Sequence, residues 1–417
     1  MSIPLKLITP PGSQRYDCTG CGDCCRGRFA IVITQADRDR IVGQGWTDEE
    51  LGLHGKPIFT SSGADFQLAH RADGTCVFLT DDNRCRIHAR HGEAAKPLAC
   101  RLYPFTFVPL GKEVRVDVRF DCPATATSRG RPLAAHRPDL LELVKTAVPA
   151  QAAALPVPPL YDDVRLSWAQ LGRITEAFEQ VLLDVSLDIT RRVAACIALA
   201  DGLRHPGLGE MDGRKLRDFL DAAASEVQQS AVDDLLRRKP PLATERMALR
   251  QLAGLYGRLD HVGGKAQLGQ RLNVSLRMLA GKGRVPAVRP GFPSVTFAEL
   301  EMARGIPTED AAQALERYLH VHLAGMGFFG RAFYGRSYLD GLNALLLTYP
   351  LVCWFARAFA ASENRPALDA ACVERALMIV DHQHGITPLL DIPSERYRTR
   401  FLCEPGTLRS LTIWYGS

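Results

Sequence analysis

The sequence predicts an α+β N-terminal cysteine-cluster module followed by a mostly α-helical C-terminal domain. Three observations carry this. Eight of the twelve cysteines (Cys18, Cys21, Cys24, Cys25, Cys76, Cys85, Cys100 and Cys122) lie in the first 122 of 417 residues. Short β-prone runs and helical patterns alternate in that same stretch. Beyond a proline-rich segment the apolar residues recur almost everywhere at helical spacing.

In order, "RFAIVIT" (28–34) reads as a strand, and "TQADRDRIVGQG" as a helix capped by Thr34 and stopped near Gly43. "TCVFL" and "EVRVDVRF" read as further strands, the second alternating valines with charged residues, and "TDDNRC" has turn composition. "HRPDLLELVKTAV" (136–148) reads as a helix, and "PAQAAALPVPPLYDD" (149–163), with four prolines, as a linker. The expected division is therefore a cysteine module at 1–130, a helix and linker at 131–163, and a helical domain at 164–417. Within the last, "WAQLGRITEAFEQVLLDV" sets residues 168, 171, 174, 178, 181 and 182 on one face. "TRRVAACIALADGLR", "RKLRDFLDAAASEVQQSAVDDLLRR" and "TERMALRQLAGLYGRL" continue the pattern, and helices near 308–323, 337–361 and 367–384 close the chain. A basic insertion rich in glycine and proline, near 262–298, interrupts it. It carries Lys265, Arg271, Arg277, Lys282, Arg284 and Arg289 and no acidic residue. Such a segment is either a solvated loop or a contact surface for an anionic partner or cofactor.

Hydrophobic residues at 46% and charged residues at 23% are those of a globular protein. A net charge of +5, from 51 basic against 46 acidic residues, is too mild to imply nucleic acid. The N-terminus lacks an apolar region of signal-peptide length, so a cytoplasmic protein with reduced thiols is expected. The most apolar uncharged stretch, 341–356, is shorter than a membrane span and contains Pro350, so it reads as a buried helix with no membrane role.

Reduced thiols crowded together point to metal, because thiolates are soft ligands for zinc, cuprous copper and iron–sulfur clusters. "CTGCGDCC" spaces Cys18, Cys21 and Cys24 as C-x-x-C-x-x-C, with Gly20 and Gly22 giving the backbone freedom for a tight turn. This spacing resembles that of bacterial ferredoxin-type clusters. Cys25 departs from it. Adjacent side chains usually diverge, so the pair Cys24 and Cys25 reads as serving two centres, or as one ligand and one supporting thiol. "CVFLTDDNRC" sets Cys76 and Cys85 at the ends of a hairpin, and "KPLACRLYPF" sets Cys100 before Arg101, a cation able to offset thiolate charge. Cys122 precedes Pro123. His88 and His91 are further candidate ligands or supporting donors. His320 with His322, and His382 with His384, sit two apart on helical patterns, a spacing that argues against a shared metal. Cys196, Cys353, Cys372 and Cys403 read as structural. Eight thiols exceed the four of one zinc or one four-iron cluster, so two centres, or one centre with spare thiols, are both open.

Together, "CTGCGDCC", "CVFLTDDNRCRIH" and "KPLACRLYPF" resemble the CxxCxxCC (YkgJ-type) cysteine-cluster family of zinc- or iron-chelating domains. The matching residues are Cys76, Phe78, Leu79, Cys85, Ile87, Cys100, Arg101, Tyr103 and Pro104, over roughly 16–125. His88 stands where that family has tyrosine and Lys96 where it has arginine. The later "SYLDGLNALLLTYPLVCWFARAFAA" and "VERALMIVDHQHG" resemble the end of a longer branch, the flagellin lysine N-methylases. That resemblance implies an iron–sulfur cluster (4Fe-4S) or zinc, S-adenosylmethionine as methyl donor and a flagellin-like protein as substrate. No Gly-rich strand–helix motif for S-adenosylmethionine occurs, since "GGKAQLG" lacks a preceding strand. The other open reading is a non-enzymatic metal-binding module whose helical domain binds a protein partner.

Overall fold

The computed structural model describes residues 6–8, 14–26, 31–62, 65–71, 73–211, 213–234, 240–259 and 268–417. Among the described residues there are eight strands, all before residue 133: β1 Lys6–Ile8, β2 Arg15–Tyr16, β3 Val32–Ile33, β4 Phe59–Ser62, β5 Asp65–Leu68, β6 Phe105–Leu110, β7 Glu113–Val118 and β8 Arg131–Pro132. They form three small sheets, ordered β1-β7-β6, β2-β8 and β3-β5-β4. In the first, β6 and β7 are antiparallel with Phe107 opposite Val116, and β1 runs parallel to β7. From Trp168 onwards the described residues are helical or connecting, beginning with Trp168–Leu182 and Ile189–Gly202.

Three core clusters share the N-terminal third. Ile31, Ile33, Ile41, Leu51, Leu53, Leu68, Ala69, Cys76, Val77, Phe78 and Ile87 form a small cluster of their own. Val108, Leu110, Val118, Phe120, Cys122 and Leu133 instead join the large core of the helices, with Phe178, Leu319 and Trp354. The hairpin β6–β7 is shared between this large core and a third cluster, in which Val114 and Val116 pack with Leu140, Val144, Val148 and Ala152. The cysteine cluster lies where the small core meets the large one.

Local sequence explains the elements. Thr34 caps the helix Gln35–Gly43 by accepting from the Asp37 amide (3.0 Å), while Asp37 accepts from the Thr34 amide (3.2 Å). Valines 114, 116 and 118 of β7 are buried on one face, as their alternation predicts. The opposite face is not solvated: Arg115 donates to the Ala324 carbonyl (2.9 Å), and Asp117 meets His322 on the helix Glu309–Gly325. Gly325 permits that approach, since a Cβ there would stand 2.7 Å from the Asp117 Cβ. The apolar stretch around 341–356 becomes two helices, Tyr338–Leu346 and Thr348–Ser362, with Pro350 in the first turn of the second, where proline is tolerated. This run is long and apolar enough to cross a membrane, but 94% of its most apolar window is buried inside the protein, as a core helix would be.

Several elements differ from expectation. "TCVFL" forms no strand. His70 bridges Cys76 and Leu79 bridges Cys85 around a pair of tight turns. The basic segment contains a helix, Leu268–Ala280; Lys265 and the first part of "RFAIVIT" lie outside the described residues. Two C-terminal helices, Pro393–Leu402 and Pro405–Tyr415, were not anticipated, although each carries the N-terminal proline that marks a helix start. The proline-rich stretch is packed rather than free: Pro159 and Leu160 carbonyls accept from the Tyr338 and Leu339 amides, and Leu160 is fully buried.

Candidate metal centre

The loop carrying the first cysteines is held at both ends. At its start, Asp17 accepts from the Arg131 amide (2.8 Å) and Nε (3.0 Å), and His136 Nε2 meets the Tyr16 carbonyl at 2.7 Å. Gly20 and Gly22 then adopt φ of +67° and +75°, reversing the chain. At Gly22 a side chain would also meet Arg26, Asn83 and Leu79, so the turn is pressed against the next cysteine segment. A single helical turn follows, Asp23–Arg26, with the Cys25 and Arg26 amides both bonded to the Gly22 carbonyl. Arg26 ties the segments together, donating to the Cys21 carbonyl (3.0 Å) and to Asn83 Oδ1. The Cys76 amide donates to the Cys25 carbonyl at 2.8 Å.

Cys100 sits on the short helix Leu98–Leu102, positioned by the buried Asp37, which accepts from the Leu98 amide (3.2 Å) and pairs with Arg40. Arg40 in turn donates to the Ala95 and Lys96 carbonyls. The Thr34 cap therefore supports the cysteine site indirectly. Thr34→Ala is expected to cost about 1 kcal/mol of stability, read as a shifted urea midpoint at unchanged slope.

These elements gather the thiols around two adjoining cavities. Cys18, Cys24, Cys25, Cys76, Cys85 and Cys100 line one of about 530 Å³. Cys18, Cys21, Cys24, Cys100 and Cys122 line the other, of about 460 Å³. All eight predicted cysteines are thus on these walls, and Cys18, Cys24 and Cys100 are on both. Cys24 and Cys25 do not diverge. The helical turn brings their sulfurs to 3.9 Å, near the ~3.8 Å edge expected between sulfurs about 2.3 Å from one tetrahedral zinc. Among the described residues no three His, Cys, Asp or Glu side chains already stand at the spacing of ligands around a single ion. The donor set is that of a soft metal, arranged around a space larger than one ion.

The electrostatics agree with a site that receives a cation. The adjacent Cys25 sulfur and burial both raise the Cys24 thiol well above the ordinary cysteine range. Burial pushes Cys76 up to about 12 and Cys122 to about 11, and burial with the neighbouring Cys76 also raises Cys100. Such thiols hold their protons at neutral pH until a metal displaces them. Lys96 lines both cavities. Burial alone would lower its pKa, but Glu93, 3.0 Å from its Nζ, raises it, so the ammonium stays charged beside the sulfurs. Arg101 lines the second cavity only, so Lys96 is the cation shared by both walls. His88 also lines both, with Nδ1 3.3 Å from Glu93. His91 instead packs edge-on against Trp46. Cys196, Cys353 and Cys372 are buried in the large core, as expected, and Cys403 packs against it.

Residues 17–123 match the CxxCxxCC family, whose description is "Putative zinc- or iron-chelating domain". No curated protein and no solved structure matches the chain. The last part of the matched stretch enters a buried network with the later helices that spacing rules did not reveal. Tyr103, which lines both cavities, donates to Asp121 (3.1 Å). Arg119 forks onto Asp121 at 3.0 and 3.1 Å and donates to the Asp381 carbonyl at 2.6 Å. The Asp381 carboxylate accepts the Phe120 and Asp121 amides at 2.6 and 3.2 Å. His322 lies between Asp117 (2.9 Å) and Asp381 (3.0 Å), and His382 approaches Asp121 at 3.4 Å. His320, His322 and His382 are buried against carboxylates, and His384 caps its helix while bonding Tyr256 at 2.9 Å.

Proposed function

We propose that this protein carries an iron–sulfur centre on its CxxCxxCC domain and transfers a methyl group from S-adenosylmethionine to a protein lysine. The observation that supports the centre is the placement of six thiols on one 530 Å³ cavity and all eight on two adjoining ones. One tetrahedral zinc uses four ligands in a far smaller space. Cys24, Cys25, Cys76, Cys85 and Cys100 would hold the centre from the first cavity, with Cys18, Cys21 and Cys122 completing the second wall. A bound cluster would supply soft iron with room for a substrate group beside it. Lys96 would offset the charge of the thiolates and donate a hydrogen bond to a sulfur.

The methyl-transfer half of the proposal rests on the resemblance of the chain to the flagellin lysine N-methylases. A lysine nucleophile must lose its proton before attack, which burial beside the cationic Lys96 favours. The described residues contain no parallel sheet with crossover helices of the doubly wound kind.

The test is anaerobic purification with iron, acid-labile sulfide and zinc quantitation, followed by S-adenosylmethionine titration and tritiated-methyl transfer to flagellin. Brown protein with iron and sulfide in near-equal amounts, which binds S-adenosylmethionine and labels lysine, is the expected result. Protein with neither iron nor zinc overturns the metal centre. A metal-loaded protein that does not bind S-adenosylmethionine overturns the methylase half, and leaves a metal-held module whose helical domain engages a protein partner.

A further inference from the structure

Outside the thiol-lined walls a cavity of about 740 Å³ lies between the helices Ala243–Tyr256 and Leu268–Ala280, the 287–290 segment and the C-terminal helix Pro393–Leu402. Among the described residues its lining is mostly basic. Arg26, Arg258, Arg271, Arg289 and Arg398 line it against two carboxylates, Asp73 and Glu395. Glu395 is already committed to Arg398. Arg289 is the telling member. Its Nε is fixed on the Gly257 carbonyl at 2.9 Å, while its Nη2 is buried with no hydrogen-bond partner among the described residues. Burial pushes its guanidinium down to about 10, with no carboxylate among the described residues offsetting the cost. A desolvated guanidinium without an anion is unfavourable unless a ligand supplies one. Between the cations, Leu255, Val274, Met278 and Val288 present apolar surface suited to a flat organic body.

We propose that this cavity binds a small phosphate ester of nucleotide size, its phosphates on the arginines and its organic body on the apolar wall. Several guanidinium groups around one cavity, each with a fork of N–H donors, suit the many oxygens of a phosphate ester better than a single carboxylate. Arg26 directly follows Cys25 and holds the Cys21 carbonyl, so one wall of this site is also part of the first cysteine turn. The proposal stands on the helical side of the cavity and does not depend on which metal the cysteines hold.

Calorimetric titration of the full-length protein with ADP, adenosine and inorganic pyrophosphate tests it. ADP should bind in the micromolar to low millimolar range, pyrophosphate should compete with it, and adenosine alone should bind at least tenfold more weakly. Arg289→Gln should weaken ADP at least tenfold and Arg271→Gln several-fold. Arg289→Lys, which keeps the charge but not the fork, should fall between wild type and Arg289→Gln. Unchanged thermal melting without ligand would show that the variants fold. Absence of ADP heat up to 5 mM, or equal ADP affinity in wild type, Arg271→Gln and Arg289→Lys, overturns the proposal. Adenosine binding as tightly as ADP would also overturn it, by removing the phosphates from recognition.

Discussion

Asp381→Ala is expected to destabilise the protein by about 3–5 kcal/mol, the cost of breaking a buried charge cluster by removing one member. Asp381 does three things at once. It faces His322 at 3.0 Å, accepts the Phe120 amide at 2.6 Å, and accepts the Asp121 amide at 3.2 Å. Alanine leaves two buried amides unsatisfied and His322 with Asp117 as its remaining carboxylate. Asp381→Asn keeps one acceptor and should cost less. Urea unfolding near pH 7 separates the two variants, and equal stability of Asp381→Ala and wild type would remove the network as a structural element.

The same cluster predicts a pH dependence with a definite sign. Burial pulls the His322 pKa down, but Asp117 and Asp381 outweigh it and raise it from 6.5 to about 10. The stabilisation from charged His322 is therefore full below about 6.5 and is lost as pH rises through about 10. Burial pushes Asp381 up, but His322 and Arg119 hold it near 2 against an ordinary 3.8, so its contribution is present above about 3.8 and is lost as pH falls through about 2. Stability should decline from pH 7 toward pH 10 in the wild type, and the decline should flatten in Asp381→Asn, whose His322 has lost one of its two partners. An unchanged alkaline slope in that variant would sink the assignment.

This network shows why part of the molecule was legible in the sequence and part was not. The Thr34 cap, the strand of Val114, Val116 and Val118, and the helix Trp168–Leu182 follow from neighbours a few residues apart, which a pattern reader sees. The eight thiols were legible because metal ligands impose short spacings within each segment. The closeness of Cys24 and Cys25 was not. It depends on a one-turn helix that four residues of sequence do not announce, locked by Arg26 reaching Asn83 in the second segment. Asp117 and His322 are separated by 205 residues, and Arg119 and Asp381 by 262, so no local pattern marks them as partners. The alternation in "EVRVDVRF" marks a strand, yet its charged side faces a helix instead of water, because Gly325 lets that helix come close.

Serine at Cys24 or Cys100 is expected to abolish high-affinity metal binding, whereas serine at Cys196 or Cys353 should leave the metal content unchanged. The contrast follows from position. Cys24 and Cys100 line both cavities, while Cys196 and Cys353 are sealed in the helical core. A structural tetrathiolate site contributes about 10–16 kcal/mol of binding, so one sulfur carries about 2.5–4 kcal/mol, roughly sixtyfold to several hundredfold in affinity. The small core around Cys76 and Phe78 makes the metal matter for folding as well, since so few buried residues supply little stability alone. Metal-free Cys24→Ser protein should therefore lose protease resistance first between residues 31 and 100, while β6, β7 and the helices that share the large core stay protected. Cys122→Ser offers the sharper discrimination. Cys122 lines only the second cavity and belongs to the large core. If two centres are present, this variant should lose part of its metal and keep the 31–100 region protected. If one centre spans both walls, it should lose metal as Cys100→Ser does. Metal content identical to wild type in Cys24→Ser, Cys100→Ser and Cys122→Ser together would mean that these sulfurs hold nothing.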